Sequence, residues 1–102
     1  MARVVVMYKT PKDPIAFNKH YFETHVAIAK RIPGVRKYEV SQGTVASPAG
    51  PSGVHLFAVL HFDDMAAVGA AFASAEGKAA VADVQSFATG GVDILMFDQR
   101  EV

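Results

Sequence analysis

The segment from Asp13 to Gly34 constrains the fold most strongly, because its pattern predicts one long amphipathic helix with a histidine on the apolar side. Asp13 can cap the first turn, and Pro33 with Gly34 ends the segment. At about 100° per residue, His25 falls at the centre of the apolar arc. The other apolar members of this arc are Ile15, Phe17, Tyr21, Phe22, Val26, Ile28, Ala29 and Ile32. Such an arc needs a second layer to cover it.

The polar residues of this helix divide into two groups on the same projection. Asn18 lies near the centre of the arc, one helical layer before His25, so both side chains need a partner or a pocket. His20 projects to the opposite side, where side chains stay hydrated. Its neighbours there are Lys19, Glu23, Lys30 and Arg31. We therefore assign no function to His20.

The composition excludes several classes of protein. The formal net charge is zero and no basic run occurs, which argues against nucleic-acid binding. Without cysteine, the chain has no disulfide, thiolate metal site or cysteine nucleophile. No segment approaches the ~18 apolar residues of a membrane span, and the first apolar run is short for a signal peptide. We expect a cytoplasmic protein of one domain, residues 1–102.

Four segments have the composition of β-strands. They are Arg3 to Lys9, Val35 to Val45, Val54 to Phe62 and Val92 to Gln99. The second is half polar and is expected near a sheet edge, whereas the third is expected at the centre. Residues 43–53 are rich in glycine, proline and serine, which predicts a mobile hairpin connection.

Two further helices are predicted between the third and fourth strands. Asp64 can cap a helix that runs to Ala73, and Ser74 starts another that ends near Gly90. The order βαββαβ indicates a ferredoxin-like α+β fold, a four-stranded antiparallel sheet with helices on one face. Three strands also carry apolar residues on the uncovered face, which would be a liability in a monomer. We predict a homodimer that packs through this sheet face.

Three segments of the chain resemble one known family, and together they cover nearly all of it. They are VVVMYKTP, FNKHYFETHVAIAKRIPGVRKYEVSQG and HFDDMAAVGAAFASAEGKAAVADVQSFATGG. They are similar to the EthD family, named for ethyl tert-butyl ether degradation, within the dimeric α+β barrel superfamily. Its most specific features here are Phe17, Tyr21 and His25 before Ile32-Pro33-Gly34, and Ser74-x-Glu76-Gly77 with Asp83 and Phe87. Ala27 stands where the family usually has proline.

The resemblance implies a ferredoxin-like homodimer with a pocket for a small hydrophobic ligand between sheet and helices. Members of the family lie in operons for the oxidation of ethers and aromatic compounds. Relatives in the superfamily include cofactor-free monooxygenases, muconolactone isomerases, polyketide cyclases and haem-degrading enzymes. Fold therefore follows from the resemblance more directly than reaction does.

His25 is the best candidate for chemistry, because a neutral imidazole in a partly desolvated pocket can act as a base. Tyr21 lies one turn earlier on the same face, and Tyr8 ends the first strand. Either phenol could stabilise an oxyanion. For all three, the alternative is a structural role, with His25 bonded to a strand carbonyl and the tyrosines packed in the core.

Several other residues are expected to contact a substrate, and others are expected to have no catalytic or metal-binding role. The expected substrate contacts are Phe17, Asn18, Ile28, Phe57 and His61, although for His61 a place in the dimer interface is favoured over one in the pocket. His55 and His61 should share a strand face about 20 Å apart, and His20 and His25 different helix sides, so neither pair predicts a metal site. Asp83 is expected to be a solvated carboxylate.

Three hypotheses follow for the function. The first is a cofactor-independent enzyme, a monooxygenase or an isomerase, that acts on a hydrophobic aromatic or carbonyl-bearing metabolite with His25 as base. The second is a non-catalytic ligand-binding or accessory protein of an oxidative degradation pathway. The third is a haem-binding monooxygenase with His25 on the iron. No cofactor is predicted under the first hypothesis.

Overall fold

A computed structural model describes all 102 residues of the chain. Its elements are β1 (Ala2–Lys9), α1 (Pro14–His20), a π-helical turn (Tyr21–His25), α2 (Val26–Ala29), β2 (Lys37–Val40), β3 (Ala46–Ser47), β4 (Gly50–Pro51), β5 (Val54–Phe62), α3 (Met65–Ala73), α4 (Ala75–Phe87) and β6 (Val92–Asp98). The main sheet has the strand order β2-β5-β1-β6, and all its pairs are antiparallel. The predicted ferredoxin-like α+β fold is confirmed. No helix in it combines the length and the apolar character needed to cross a membrane.

The helices cover one face of this sheet, and the core lies between them. On β1 the buried side chains are Ala2, Val4, Val6 and Tyr8, and on β5 they are Leu56, Ala58, Leu60 and Phe62. On the opposite face of β1, Val5 and Met7 are only half-buried. Leu95 and Phe97 on the edge strand β6 are 53% and 43% exposed. The strand pattern therefore leaves an apolar sheet face uncovered, as the alternation predicts.

The first helix is one continuous run, residues 14–29, with a π turn in the middle. Asp13 caps it by accepting a hydrogen bond from the Ala16 amide, as predicted. Within the turn, the Val26 amide donates to the Tyr21 carbonyl, five residues back instead of four. The helix ends at Ala29, earlier than predicted. The Lys30 amide still donates to the Val26 carbonyl four residues back, but the Arg31 and Ile32 amides donate to carbonyls only three residues back.

The π turn corrects the predicted arc, because it rotates the helix after it relative to the part before it. Phe22 and Ile15, placed on the buried arc by a constant 100° per residue, are 54% and 83% exposed. In an ideal α-helix His20 and His25 would be about 140° apart. The wider turn brings them toward the same side. The prediction that they occupy different sides is therefore wrong.

The segment between β2 and β5 is more regular than its composition suggests. Only Lys37–Val40 of the predicted second strand pairs with β5, at the sheet edge. Within residues 43–53, strands β3 and β4 form a separate small hairpin. At the start of β5, Tyr8 pairs with Leu56 but Lys9 pairs with Val54, so His55 is an extra residue in the ladder. Such a bulge redirects its side chain.

Gly77 permits the close packing of α4 against the end of α3. A Cβ at this position would lie 2.1 Å from the Ala71 carbonyl oxygen. We expect Gly77→Ala to lower the free energy of unfolding by about 1–3 kcal/mol, because backbone rather than a flexible side chain must move. Gly69→Ala is the matched control, because nothing lies within 4 Å of the Cβ position at residue 69. Alanine in place of glycine within this helix should raise the free energy of unfolding by about 0.8–1 kcal/mol. Urea denaturation measures both, and equal effects would contradict this account.

Candidate active site

The Asp83 carboxylate on α4 binds two histidines of the first helix. His25 Nδ1 lies 2.8 Å from Asp83 Oδ2, and His20 Nε2 lies 2.9 and 3.0 Å from the two carboxylate oxygens. The prediction that Asp83 is a solvated carboxylate is wrong, because its side chain is only 14% exposed. The prediction that His20 is unimportant is also wrong. The π turn is the physical reason for both corrections.

The carboxylate fixes the tautomers of both imidazoles. An ionised carboxylate only accepts hydrogen bonds, so His25 Nδ1 and His20 Nε2 must each carry a hydrogen. In its neutral form, His25 therefore has its lone pair on Nε2. This is the arrangement in which a carboxylate orients an imidazole as a general base.

The electrostatics keep His25 neutral and Asp83 ionised near neutral pH. Burial lowers the pKa of His25, and the hydrogen bond and negative charge of Asp83 offset this only in part. Burial alone would raise the pKa of Asp83, but hydrogen bonds from His20 and His25 outweigh it and hold that pKa below its usual value. An unprotonated imidazole beside a carboxylate is ready to accept a proton.

A narrow, almost entirely apolar cavity of about 40 Å³ borders His25. It lies between the helices and the sheet, as the family resemblance implies. Its lining residues include Val6 and Leu60 of the sheet and Ala80 and Val84 of α4. His25 Nε2 has no hydrogen-bond partner in the chain, so the cavity presents a free base to whatever enters it.

Tyr8 and Tyr21 also line this cavity, but their hydroxyls differ. The Tyr21 hydroxyl is hydrogen-bonded to the Tyr38 hydroxyl at 2.5 Å, whereas the Tyr8 hydroxyl has no partner in the chain. Burial, reinforced by the nearby Tyr38, raises the pKa of both Tyr8 and Tyr21 well above the usual phenol value. Both remain protonated donors at neutral pH. Of the two, Tyr8 is the one free to bind an oxyanion.

An aromatic cluster holds these groups in place. The ring of Phe87 lies 4.9 Å from the imidazole of His25 and 5.0 Å from that of His20, between ring centroids. Phe17 stacks on Tyr21 at 5.8 Å and meets Tyr8 edge-on at 5.3 Å. Phe17, predicted to contact substrate, is thus a buried support for the two tyrosines. Contacts of this kind fix the ring orientations.

The other predicted substrate contacts lie away from the cavity. Ile28 is half-buried and packs against the core. Asn18 is exposed and its Oδ1 lies 2.8 Å from His55 Nε2, beside an open groove of about 750 Å³. The bulge turns His55 to the sheet face that the helices cover, where it contacts Asn18 and Phe17. The prediction that His55 and His61 share a strand face is therefore wrong. His25 and Asn18 do not share a pocket.

Phe57 and His61 are on the sheet face that the helices do not cover. His61 Nε2 lies 2.7 Å from Glu39 Oε1, and Phe57 is half-buried beside it on the same strand. The alternation along β5 places both side chains on the opposite side of the sheet from His25. Phe57 and His61 therefore do not line the cavity beside His25, and a ligand that contacts them would have to bind on the other face of the sheet, such as at a dimer interface.

The sequence reasoning missed Asp83 and Tyr38 as members of the site. A signal for Asp83 existed, because it lies beside the apolar Val84 and four residues before the apolar Phe87, a spacing that puts Asp83 and Phe87 on one side of a helix. Tyr38 shares a strand face with Val40, the side that reaches the helices. For His20 no signal existed, since the π turn leaves no mark on a helical projection.

Haem does not fit at His25 in this arrangement. The cavity of about 40 Å³ is far below the 300–1,000 Å³ typical of ligand and cofactor pockets. The rings of Tyr21 and Phe87 also pack on the imidazole, at 5.2 and 4.9 Å between centroids. No group of three or more His, Asp or Glu side chains has a geometry suited to a metal ion.

Comparisons with known proteins agree with the fold. The EthD domain model matches residues 9–91. The chain is 42% identical to an uncharacterized 11.0 kDa protein in the thcB-thcC intergenic region of Rhodococcus erythropolis, covering 100% of this chain and 98% of that protein. The crystal structure of an EthD family protein from Bacillus halodurans is 32% identical, with a TM-score of 0.89 over 98% of this chain and 99% of that one.

Two more distant structures share the fold alone. SnoaB, a cofactor-independent oxygenase from Streptomyces nogalater, is 15% identical with a TM-score of 0.68, covering 99% of this chain and 94% of that one. A dimeric ferredoxin-like protein of unknown function from Thermobifida fusca is 13% identical with a TM-score of 0.70, covering 96% and 90%.

The lowered pKa of His25 should make stability depend on pH. The unfolded chain takes up a proton near pH 6.5 that the folded chain resists. The free energy of unfolding should therefore fall as the pH drops from about 6.5 toward the folded pKa of His25. Urea denaturation at several pH values should show a shallower decline for His25→Gln than for the wild type. An identical decline in both proteins would contradict the assignment.

Proposed function

The chain belongs to the EthD family, and we propose that it is a small-molecule enzyme with His25 as general base. Its substrate would be a hydrophobic metabolite that bears a carbonyl group or an aromatic ring. The observation that carries the proposal is the free Nε2 of His25, oriented by Asp83 through Nδ1 and facing an apolar cavity. The apolar lining favours a substrate without charge at the reacting end.

The chemistry would begin with removal of a proton from carbon or from a phenol. His25 Nε2 accepts the proton of a C–H bond next to a carbonyl, and the electron pair moves onto the carbonyl oxygen. The imidazolium formed on His25 is stabilised by Asp83. Tyr8, whose hydroxyl has no partner in the chain, would donate a hydrogen bond to the enolate oxygen. For a phenol the same groups would produce a phenolate.

Two reactions can follow from the carbanion, and both need only the residues described. Return of the proton from His25 to a different carbon gives an isomer. Reaction of the carbanion with molecular oxygen, the two-electron oxidant, forms a C–O bond and leaves a peroxide anion, which takes back the proton from His25 to give a hydroperoxide. The fold shared with SnoaB, which is described as a cofactor-independent oxygenase, supports including the second reaction.

The size of the cavity limits how a substrate would bind. A volume of about 40 Å³ holds little more than one or two water molecules. A metabolite would therefore insert only its reacting end, or displace side chains at the margin such as Val81, which is 39% exposed. Opening of the Tyr21–Tyr38 hydrogen bond would enlarge the space further.

We expect His25→Gln to lower catalytic proton transfer by about 10²–10⁴-fold, because glutamine cannot accept a proton at this position. The probe is a panel of hydrophobic ketones and β-ketoesters in deuterated water, with deuterium uptake followed by mass spectrometry. Tyr8→Phe should lower the rate by about 10²-fold through loss of the oxyanion donor.

His55→Gln is the matched control for this experiment, because His55 bonds Asn18 outside the cavity. It should exchange at the wild-type rate. Equal rates for His25→Gln and the wild type would remove His25 as the base. Saturable ligand binding with no exchange by the wild type would favour a non-catalytic binding protein.

The uncovered sheet face supports a second proposal, a homodimer. Leu95 and Phe97 point to this face and are 53% and 43% exposed, beside half-buried Val5 and Phe57. Burial of such a surface against a second copy would remove it from water. The Thermobifida fusca protein, described as dimeric, has the same fold.

The edge strand β6 offers a sharp test of this interface. Leu95→Lys should yield a monomer, because a charge would enter the apolar interface. Met96→Lys is the control: Met96 is 47% exposed but lies on the other side of the strand, so this variant should remain dimeric. Sedimentation velocity at micromolar concentration measures the masses. A monomeric wild type, or the same mass for both variants, would overturn the proposal.

A further inference from the structure

The cluster of His20, Asp83 and His25 runs from the cavity toward solvent. The side chain of His25 is 5% exposed, that of Asp83 is 14% exposed and that of His20 is 33% exposed. Both imidazoles contact the carboxylate at 2.8–3.0 Å and pack on Phe87. The single negative charge of Asp83 is therefore shared by two imidazoles, each of which can take up a proton.

We propose that His20 is a positioning residue that takes up the first proton of this cluster and thereby keeps His25 in its base form in mild acid. This inference rests on the proposed function of His25 as a base. The role assigned to His20 is electrostatic, and no proton moves between the two histidines. His20 touches no substrate and acts through Asp83.

The two histidines are not equivalent sites for a proton. Protonation of His20 occurs at Nδ1, on the more exposed ring, while Nε2–H keeps its bond to Asp83. Protonation of His25 places a charge at Nε2, which faces an apolar cavity where hydration is poor. The first proton therefore binds to His20, and the resulting ion pair with Asp83 is the more favourable one.

A proton on His20 makes a second proton on His25 harder to bind. The positive charge of His20 offsets the carboxylate that would otherwise stabilise a His25 imidazolium. Repulsion from His20 is one of the causes that lower the pKa of His25.

The other groups around the cluster do not supply a competing charge in this pH range. Tyr8, Tyr21 and Tyr38 face it from the sheet and the first helix, and burial raises the pKa of each, so they stay neutral. From α4, the uncharged Ser86 hydroxyl donates to the Asp83 carbonyl at 2.6 Å and lies 3.4 Å from Asp83 Oδ1. On the solvent side, Lys12 and Asp13 line a shallow pocket with His20 and carry opposite charges.

The test is a proton NMR titration of the two imidazoles in the intact wild-type protein and in His20 variants. In His20→Gln the side-chain amide can still donate to Asp83 but cannot take up charge. The pKa of His25 should rise in this variant, because the repulsion is gone. In His20→Lys the positive charge is permanent, so His25 should titrate in a single step with its pKa kept low.

His55→Gln is again the control, since His55 is outside the cluster, and the His25 titration should match the wild type. An unchanged His25 titration in His20→Gln, or the same titration in His20→Gln and His20→Lys, would overturn the proposal. Both variants preserve a nitrogen donor, so loss of the fold is not the expected result. A near-native circular dichroism spectrum checks this.

Deuterium exchange then separates this proposal from the proposed function. In His20→Gln, the acid limb of the rate profile should move to higher pH, because His25 then takes up its proton at a higher pH than in the wild type. An NMR shift in a protein that exchanges no substrate would refute the base assignment and with it the role of His20. Exchange that depends on His25, with no shift of the acid limb, would refute the role of His20 alone.

Discussion

The hydrogen bonds from His20 and His25 to Asp83 are the interaction on which the rest of the site depends. They join the first helix to α4 across the core, and they set the tautomer of both rings. A carboxylate that is largely removed from water needs such partners, because burial without them would drive it to take up a proton. The same bonds that anchor two helices therefore prepare the base.

Aromatic side chains pack around the two histidines and form the walls of the cavity. Phe87 follows Asp83 by one helical turn and packs against both imidazoles, while Tyr8 and Tyr21 approach from the sheet and the first helix. Their rings exclude water from one side of His25, and the hydroxyl of Tyr8 stays available. Packing and chemistry share the same residues, so a substitution in this region affects both.

Much of the fold could be predicted from the sequence, because local signals and the global arrangement agree. Val54 to Phe62 forms the predicted strand with the predicted bounds, and Asp13, Asp64 and Ser74 cap the helices that their positions indicate. The identity of His25 as the buried polar residue also followed from its arc. These features depend on the spacing of apolar residues and on helix-capping residues, and both can be read from a short stretch of sequence.

The parts of the site that could not be predicted depend on departures from periodicity. One π turn moved His20 next to Asp83, and one bulge in β5 turned His55 toward the first helix. Each adds one residue to a regular hydrogen-bonding pattern, and no residue type in the sequence identifies the position of either. Tyr38 and Asp83 were missed for a related reason: their partners are distant in the chain.

The π turn also bears on how such a site can arise. It amounts to one residue more than a regular helix needs, so the loss of a single codon between Tyr21 and His25 would restore regular i→i−4 bonding. The shortened helix would still present an apolar arc to the sheet. Its two histidines would then be four residues apart and about 40° apart around the helix axis, so both could still face Asp83. A five-residue spacing with a π turn and a four-residue spacing in a regular helix are thus two forms of the same two-histidine site, one codon apart.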